Sequence, residues 1–130
     1  MSDTSEIAAL FDEWNSALNS GDPARVAALY AEDAVLLPTM SNQVRTTPDG
    51  IREYFAEFLT ASPQGTVRES AIRLLCEDVA CHCGIYVFEL TSGGKRVTVP
   101  ARFSFVYQRR ADGWKIREHH SSVMPEPIDA

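Results

Sequence analysis

The sequence predicts a single α+β domain in which helices come first and an antiparallel sheet follows. Before residue 65, apolar residues recur at steps of three and four, the spacing of amphipathic helices. From residue 66 onward, segments rich in β-branched and aromatic residues are separated by short turn-forming sequences. Such short links join antiparallel neighbours, and no linker or internal repeat interrupts the 130 residues. We therefore expect one domain over residues 1–130, with its helices packed on one face of the sheet.

Three helices are predicted. The first begins near Asp3, a favourable N-cap residue, and ends at Gly21. Its apolar face consists of Ile7, Leu10, Phe11, Trp14, Ala17 and Leu18. A short second helix follows, because Asp22 and Pro23 are the N-cap and first-turn signals of a new helix. The third opens at Thr47–Pro48 and closes before the sheet begins. Its apolar face consists of Ile51, Tyr54, Phe55, Phe58 and Leu59.

The strands are predicted from short apolar runs between turn residues. A buried strand at Ala34–Pro38 is stopped by its proline, and an extended piece around Gln43–Arg45 follows. The other four strands are expected near residues 66–76, 79–91, 96–109 and 114–123. The turns between them are Glu77-Asp78, Ser92-Gly93-Gly94 and Ala111-Asp112-Gly113.

Both faces of this sheet carry apolar side chains. Ile85–Phe88 is apolar at odd and even positions alike, and the aromatic strand Phe103–Tyr107 also contains Val106. In a strand that is buried on one side only, apolar and polar residues would alternate more regularly. We expect a second copy to cover the second face, so that the protein is a homo-oligomer, at least a dimer. The alternative is a strongly curved sheet whose ends wrap on themselves.

Composition argues against several classes of partner and location. The net charge is −6 and no basic cluster occurs, which argues against nucleic acid. No apolar run approaches the roughly eighteen residues of a membrane span, so we expect no membrane helix and no signal peptide. The cysteines number three, an odd count, so a disulfide framework is not expected and a reducing cytoplasm is the simplest location.

Cys81-His82-Cys83 is the cluster that invites a metal interpretation. Successive residues of a strand point to opposite faces, which separates His82 from both cysteines. We therefore expect packed strand cysteines, no metal site and no cofactor.

Several segments carry a family resemblance. Tyr30–Val35 and Thr47–Phe55 resemble the cone-shaped fold of nuclear transport factor two and its polyketide-cyclase (SnoaL-like) and ketosteroid-isomerase relatives. The hairpin at Phe105–Ile116 and the following Glu118–Ser122 are similar to the association domain of calcium/calmodulin-dependent protein kinase II and its free-standing bacterial relatives. The resemblance covers nearly the whole chain. It implies helices wrapped with a strongly curved sheet around a conical pocket, the cystatin-like cone.

The resemblance also implies that a site lies in this pocket, although two departures limit its chemistry. Ketosteroid isomerases carry a catalytic carboxylate soon after the Asp-Ala step, where this chain has Leu36–Pro38. The kinase association domain directs arginines into its pocket from strand positions that fall here on Tyr86 and Phe105. We expect ligand-binding residues at Trp14, Arg52, Tyr86 and Phe105, with Arg52 as the remaining cation at the rim.

Glu118 and His120 are the candidate catalytic pair. Alternation along the last strand places both on one face with Trp114 and Ile116, and leaves His119 on the other face. In an aromatic pocket, His120 would act as a general base whose tautomer Glu118 fixes.

The turn before this strand decides what lies beside the pair. A two-residue turn at Asp112-Gly113 sets the pair beside Phe105 and its aromatic neighbours, which is the register we favour. A three-residue turn with a bulge would substitute Arg102 and Ser104.

The sequence is compatible with three functions of different classes. The favoured one is a self-associating small-molecule-binding domain without an established activity, whose ligand is flat, mostly apolar and carries one polar or anionic group. The alternative is a cofactor-independent cyclase, isomerase or dehydratase acting on a hydrophobic cyclic substrate, with His120 as base. A third is an adaptor that binds another protein through its helical face.

Overall fold

The computed structural model describes residues 3–127, which form three helices and five strands. The helices are α1 (Thr4–Ser20), α2 (Pro23–Ala27) and α3 (Pro48–Phe58), and a short 3-10 turn (Leu59–Ala61) extends α3. The strands are β1 (Tyr30–Leu37), β2 (Gln64–Cys76), β3 (Val79–Ser92), β4 (Lys95–Arg110) and β5 (Gly113–Val123). They form one sheet in the order β1-β5-β4-β3-β2, in which only β1 and β5 pair in parallel. The predicted α+β class is confirmed.

Capping residues set the helix boundaries. The side chains of Asp3 and Thr47 each accept a hydrogen bond from a backbone N–H three residues further on, and Asp22 caps α2 in a similar way. Gly21 ends α1 in the left-handed conformation, at a φ of 74°, which glycine adopts at little cost. The extended piece predicted around Gln43–Arg45 forms a single antiparallel bridge to β1. The helices therefore begin where the sequence predicts.

The core lies between the helices and the inner face of the sheet. Strands β3 and β4 contribute a row of buried aromatic side chains, and α1 places Phe11 and Trp14 against this row. Trp14 stacks on Tyr86 with ring centroids 6.2 Å apart, and Phe11 contacts Tyr86 at the same centroid distance. The helices thus cover one face of the sheet, as predicted.

The outer face of the sheet is less buried. Cys81, Cys83, Ile85 and Val87 lie on this side of β3 and are half-buried, whereas His82 lies on the inner side at 2% exposure. The predicted alternation across Cys81-His82-Cys83 is confirmed. Within residues 3–127 no group of three or more potential metal ligands is found, and none of the helices there is long and apolar enough to cross a membrane.

The hairpin between β4 and β5 differs from the register favoured above. Arg110 pairs with Gly113, so the two-residue turn lies one position earlier, at Ala111-Asp112. Nearer the end of β5 the partners are those of the alternative register, with Ser104 opposite His120.

A β-bulge in β5 explains this change of partners. The pairing with β4 shifts by one residue between Ile116 and Glu118, which leaves Arg117 as the extra residue. A shift of one residue moves all later side chains to the opposite face. His119 is therefore buried at 2% exposure, while Glu118 and His120 are exposed. The predicted placement of Glu118 and His120 inside the pocket is wrong for this reason.

Candidate functional site

The inner face of the sheet and α3 enclose a small chamber within the cone. Its free volume is about 10 Å³, which is room for about one water molecule. The lining residues are Trp14, Leu36, Pro38, Thr39, Tyr54, Phe55, Phe58, Tyr86, Phe88, His119 and Ser121. Aromatic side chains thus fill most of the predicted conical pocket.

A chain of hydrogen bonds runs through the wall of the chamber. Trp14 Nε1 donates to Tyr30 Oη at 3.1 Å, and Tyr30 Oη lies 2.8 Å from His119 Nδ1. The other ring nitrogen of His119, Nε2, lies 3.2 Å from Tyr86 Oη. The buried histidine is therefore held at both ring nitrogens by tyrosine hydroxyls.

The chain continues to two smaller hydroxyls that line the chamber. Tyr86 Oη donates to Ser121 Oγ at 2.5 Å, and Ser121 Oγ is hydrogen-bonded to Thr39 Oγ1. Ser121 is buried at 4% exposure, and Thr39 is half-buried just beyond the end of β1. These hydroxyls are the polar groups that a molecule entering the chamber would meet.

The hydroxyl proton of Tyr86 fixes the direction of the hydrogen bonds at His119, because that proton is donated to Ser121 Oγ. His119 Nε2 therefore carries the ring proton and donates it to Tyr86 Oη. The neutral ring accepts at Nδ1 from Tyr30 Oη, which itself accepts from the indole N–H of Trp14. Ser121 Oγ and Thr39 Oγ1 share one further hydrogen bond.

Burial keeps the ionisable members of this chain neutral. Desolvation, with a smaller effect of the neighbouring His120, lowers the pKa of His119 from 6.5 to about 3. Burial likewise raises the pKa of the Tyr30 and Tyr86 hydroxyls far above neutral pH. An imidazole with so low a pKa is a weak base at neutral pH. The hydrogen-bonded residues therefore present neutral hydroxyl groups, including those of Ser121 and Thr39, to the chamber.

A larger groove lies directly outside the chamber. Its free volume is about 430 Å³. The lining residues are Met40, Ser41, Arg45, Tyr54, Glu57, Phe58, Ala61, Leu90, Thr91 and Ser92. Tyr54 and Phe58 line both spaces, and their rings stack with centroids 5.7 Å apart and planes 17° apart. These two rings of α3 form the wall between the chamber and the groove.

Arg45 is the cation that lines this groove. The bridge to Leu36 of β1 positions its backbone. Its Nη1 donates to the carbonyl oxygen of Gly50 at 3.2 Å and pairs with Glu53 at 3.4 Å, while the guanidinium lies 6.0 Å from the centre of the Tyr54 ring. The side chain is 11% exposed, and its buried Nε has no hydrogen-bond partner among the described residues. A charged donor is therefore held beside the groove with one N–H unsatisfied.

The predicted ligand-binding residues fall into different environments. Trp14 and Tyr86 line the chamber, and Phe105 is buried beside it. The expectation for Arg52 needs correction, because its side chain is 56% exposed, pairs with Asp49 at 3.2 Å and lines neither space. Since the apolar face of α3 turns toward the sheet, its polar face carries Arg52 into solvent.

The predicted pair Glu118 and His120 is not in the chamber. His120 lies in a shallow depression of about 200 Å³ on the outer face of the sheet, beside Arg102 and Ser104. The histidine inside the cone is His119, which sequence reasoning assigned to the other face because strict alternation was counted through the bulge. The residue types around the bulge do not distinguish it from regular strand.

The sequence and the fold match known proteins over nearly their whole length. A family model, the calcium/calmodulin-dependent protein kinase II association domain, matches residues 3–125. A solved Xanthomonas campestris structure assigned to this domain is 49% identical, has a TM-score of 0.94 and covers 98% of this chain and 91% of its own. No curated protein matches the sequence significantly.

More distant solved structures share the fold. The kinase hub homology domain of Chlamydomonas reinhardtii has a TM-score of 0.79 at 19% identity, over 95% of this chain and 99% of its own. A ketosteroid isomerase-like protein from Erwinia carotovora atroseptica has a TM-score of 0.73 at 17% identity, over 92% of this chain and 95% of its own. Cystatin-like and nuclear transport factor two-like proteins are among the other neighbours. From the family match and the 49% identity, this chain belongs to the calcium/calmodulin-dependent protein kinase II association domain family.

Proposed function

We propose that this protein is a self-associating domain that binds a small amphipathic ligand at the mouth of its cone. The groove outside the chamber is the observation that carries the proposal. Its volume of about 430 Å³ lies within the range of small-molecule sites, whereas the chamber, at about 10 Å³, has room for about one water molecule. The ligand therefore rests on the wall formed by Tyr54 and Phe58.

The groove suits a flat, mostly apolar ligand that carries one anionic group. Tyr54, Phe58 and Leu90 supply an apolar surface on which a flat molecule gains contact area. Arg45 lines the groove and supplies a fixed positive charge, which favours a carboxylate. Glu57 lines the same groove, so a second negative group on the ligand would be repelled.

Self-association is the second part of the proposal. Membership of an association-domain family supports self-assembly in general terms. The half-buried apolar side chains of Ile85, Val87 and Val106 on the outer face support a contact with a second copy at that face. The proposed assembly is at least a dimer.

The location proposed for the protein is the cytoplasm. The free thiols of Cys76, Cys81 and Cys83 support a reducing compartment, because thiols in oxidising compartments tend to be paired. The net charge of −6 supports the absence of nucleic acid from its partners.

The enzymatic alternative receives less support from the geometry. His120, its intended base, lies on the outer face of the sheet. His119 lies inside the cone, but burial lowers its pKa to about 3. A base suited to neutral pH is therefore not found among the residues that line the chamber.

Binding of naphthalene-2-carboxylate, measured by titration calorimetry, tests the ligand part of the proposal. We expect saturable binding to the wild-type protein and about tenfold or greater weakening in Arg45→Gln, because a charge-assisted hydrogen bond is lost. Arg52→Gln is the matched control, since it makes the same charge change on the exposed face of α3 and should bind like the wild type. Absent binding, or equal weakening in both variants, would contradict the proposal.

A further inference from the structure

A second cleft lies between α1 and the strands β2 and β3. Its free volume is about 350 Å³, and its lining includes Asp12, Ser70 and His82. It shares no lining residue with the chamber or with the groove. Phe11 stands between the cleft and the chamber, since its ring centroid is 6.5 Å from that of His82 and 5.7 Å from that of Trp14. The cleft is therefore a separate space from the proposed ligand groove.

Ser70 and His82 form a hydrogen-bonded pair in this cleft. Ser70 Oγ lies 2.6 Å from His82 Nε2. Ser70 is exposed, whereas His82 is 2% exposed. Burial lowers the pKa of His82 below 6.5, so its ring is neutral at pH 7 and able to accept a proton. The hydroxyl is thus within reach of a ligand, and the base beneath it is shielded from water.

Two backbone irregularities place Ser70 over His82. The pairing of β2 with β3 shifts by one residue between Val67 and Glu69, and this shift turns Ser70 to the inner face. Gly84, the partner of Ser70, has a φ of 155°, and a Cβ there would lie 1.9 Å from the carbonyl oxygen of Glu69. The close approach of the two strands thus requires glycine at this position. Bulges of this kind often re-aim a side chain beside a reactive site.

We propose that Ser70 is a nucleophile that accepts an acyl group from small esters, with His82 as its general base. Ser70 Oγ bonds to the ester carbonyl carbon while its proton passes to His82 Nε2. The bond from that carbon to the alcohol oxygen breaks, and the alcohol leaves with the proton from the histidine. Asp12 lines the same cleft and repels negative charge, so neutral esters are the expected class.

Water completes the reaction by the same proton path. Its oxygen bonds to the acyl carbon as its proton passes to His82, and the bond to Ser70 Oγ breaks as the histidine returns the proton to the serine. The net change is ester plus water to carboxylic acid plus alcohol, so no oxidant, reductant or cofactor is required.

The pair lacks the third group of a catalytic triad. His82 Nδ1 is buried and has no hydrogen-bond partner within residues 3–127. No carboxylate in that part of the chain therefore fixes the tautomer of the ring or stabilises the imidazolium that forms during transfer. We expect slow turnover with an activated ester, in which the attack of water on acylated Ser70 is slower than acylation, so the acyl group accumulates on Ser70 and is measured as stoichiometric labelling.

Labelling of the whole protein with p-nitrophenyl acetate, followed by peptide mass spectrometry, tests this proposal. We expect one acetyl group on Ser70, at a rate at least tenfold lower in His82→Gln. Ser16→Ala removes an exposed serine of α1 and should label like the wild type. The labelling rate should rise with pH to a plateau, and the midpoint of the rise should lie below pH 6.5, since burial lowers the pKa of His82 below that value.

An unlabelled Ser70 would overturn the proposal, as would a rate that is unchanged in His82→Gln. If His82→Gln does not fold, the pH profile of the wild type decides, because an unassisted serine hydroxyl gives a rate that keeps rising above neutral pH. Neither variant touches the groove at Arg45, so a failure here is distinguishable from a failure of the proposed ligand binding.

Discussion

Tyr86 and Tyr107 extend from the same face of the sheet, but the surroundings of their hydroxyls are opposite. Tyr86 Oη accepts a hydrogen bond from His119 at 3.2 Å and donates one to Ser121 at 2.5 Å. Tyr107 Oη is buried without a hydrogen-bond partner in the part of the chain that the structure describes. A buried hydroxyl stabilises a fold only when its hydrogen bonds are made.

We therefore expect opposite effects from the same substitution at these two positions. Tyr86→Phe leaves the Nε2–H of His119 buried without an acceptor, and should lower the free energy of unfolding by about 1–3 kcal/mol. Tyr107→Phe removes an unsatisfied group and keeps the ring, so the free energy of unfolding should stay the same or rise. Urea denaturation measures both values. Equal losses in the two variants would contradict the hydrogen-bond chain described for His119.

The register of β5 depends on a single extra residue, the bulged Arg117. Deleting Arg117 removes the extra residue, so either Ile116 or His119 must turn outward. We expect a loss of more than about 3 kcal/mol, comparable to removing a large buried side chain.

Arg117→Ala is the matched control for this deletion. It keeps the residue count and loses two exposed contacts, an ion pair with Asp33 at 2.9 Å and a hydrogen bond to Gln108 at 3.0 Å, for which we expect about 0–1 kcal/mol. Thermal unfolding followed by circular dichroism compares the two variants. A deletion variant that unfolds as cooperatively and at the same temperature as Arg117→Ala would show that the bulge does not set the register.

Most element positions follow from local signals in the sequence. Capping residues and turn sequences act over a few neighbours, which is why the starts of the helices and the hairpin turns were predictable within a residue or two. The start of strand β1 was not predicted correctly, since the strand begins at Tyr30 and not at Ala34. Tyr30 pairs with Ile116, and this partner, distant in sequence, draws Tyr30 into the sheet.

Some residues of the candidate site were likewise predictable from the sequence and others were not. Trp14 and Tyr86 were predictable, because large aromatic residues at regular spacing fill a core whatever the register. His119 and Arg45 were not, since the first depends on the bulge in β5 and the second on a single bridge to Leu36. Both features arise from the pairing of one segment with another, which the periodicity of a single segment does not record.

For the whole molecule, the outer face of the sheet carries the assembly prediction. We expect at least a dimer at micromolar concentration, and we expect Ile85→Asp to dissociate it, because a charge would be buried among apolar side chains at the contact. Ala56→Asp adds the same charge on the exposed side of α3 and should leave the oligomer intact. Sedimentation velocity measures both. A wild-type protein that sediments only as a 14.4 kDa species would refute the assembly.

The stacked rings of Tyr54 and Phe58 also govern how fast molecules exchange with the cone. From the groove, a group larger than a water molecule reaches Thr39 and Ser121 when one of these rings leaves its stacked position. Ring displacement is a unimolecular step whose rate is independent of ligand concentration. The association rate of a ligand that reaches these hydroxyls should therefore level off at high concentration, whereas a ligand confined to the groove should associate in proportion to its concentration. Helix α3 should thus separate ligands by the speed at which they enter and not only by shape.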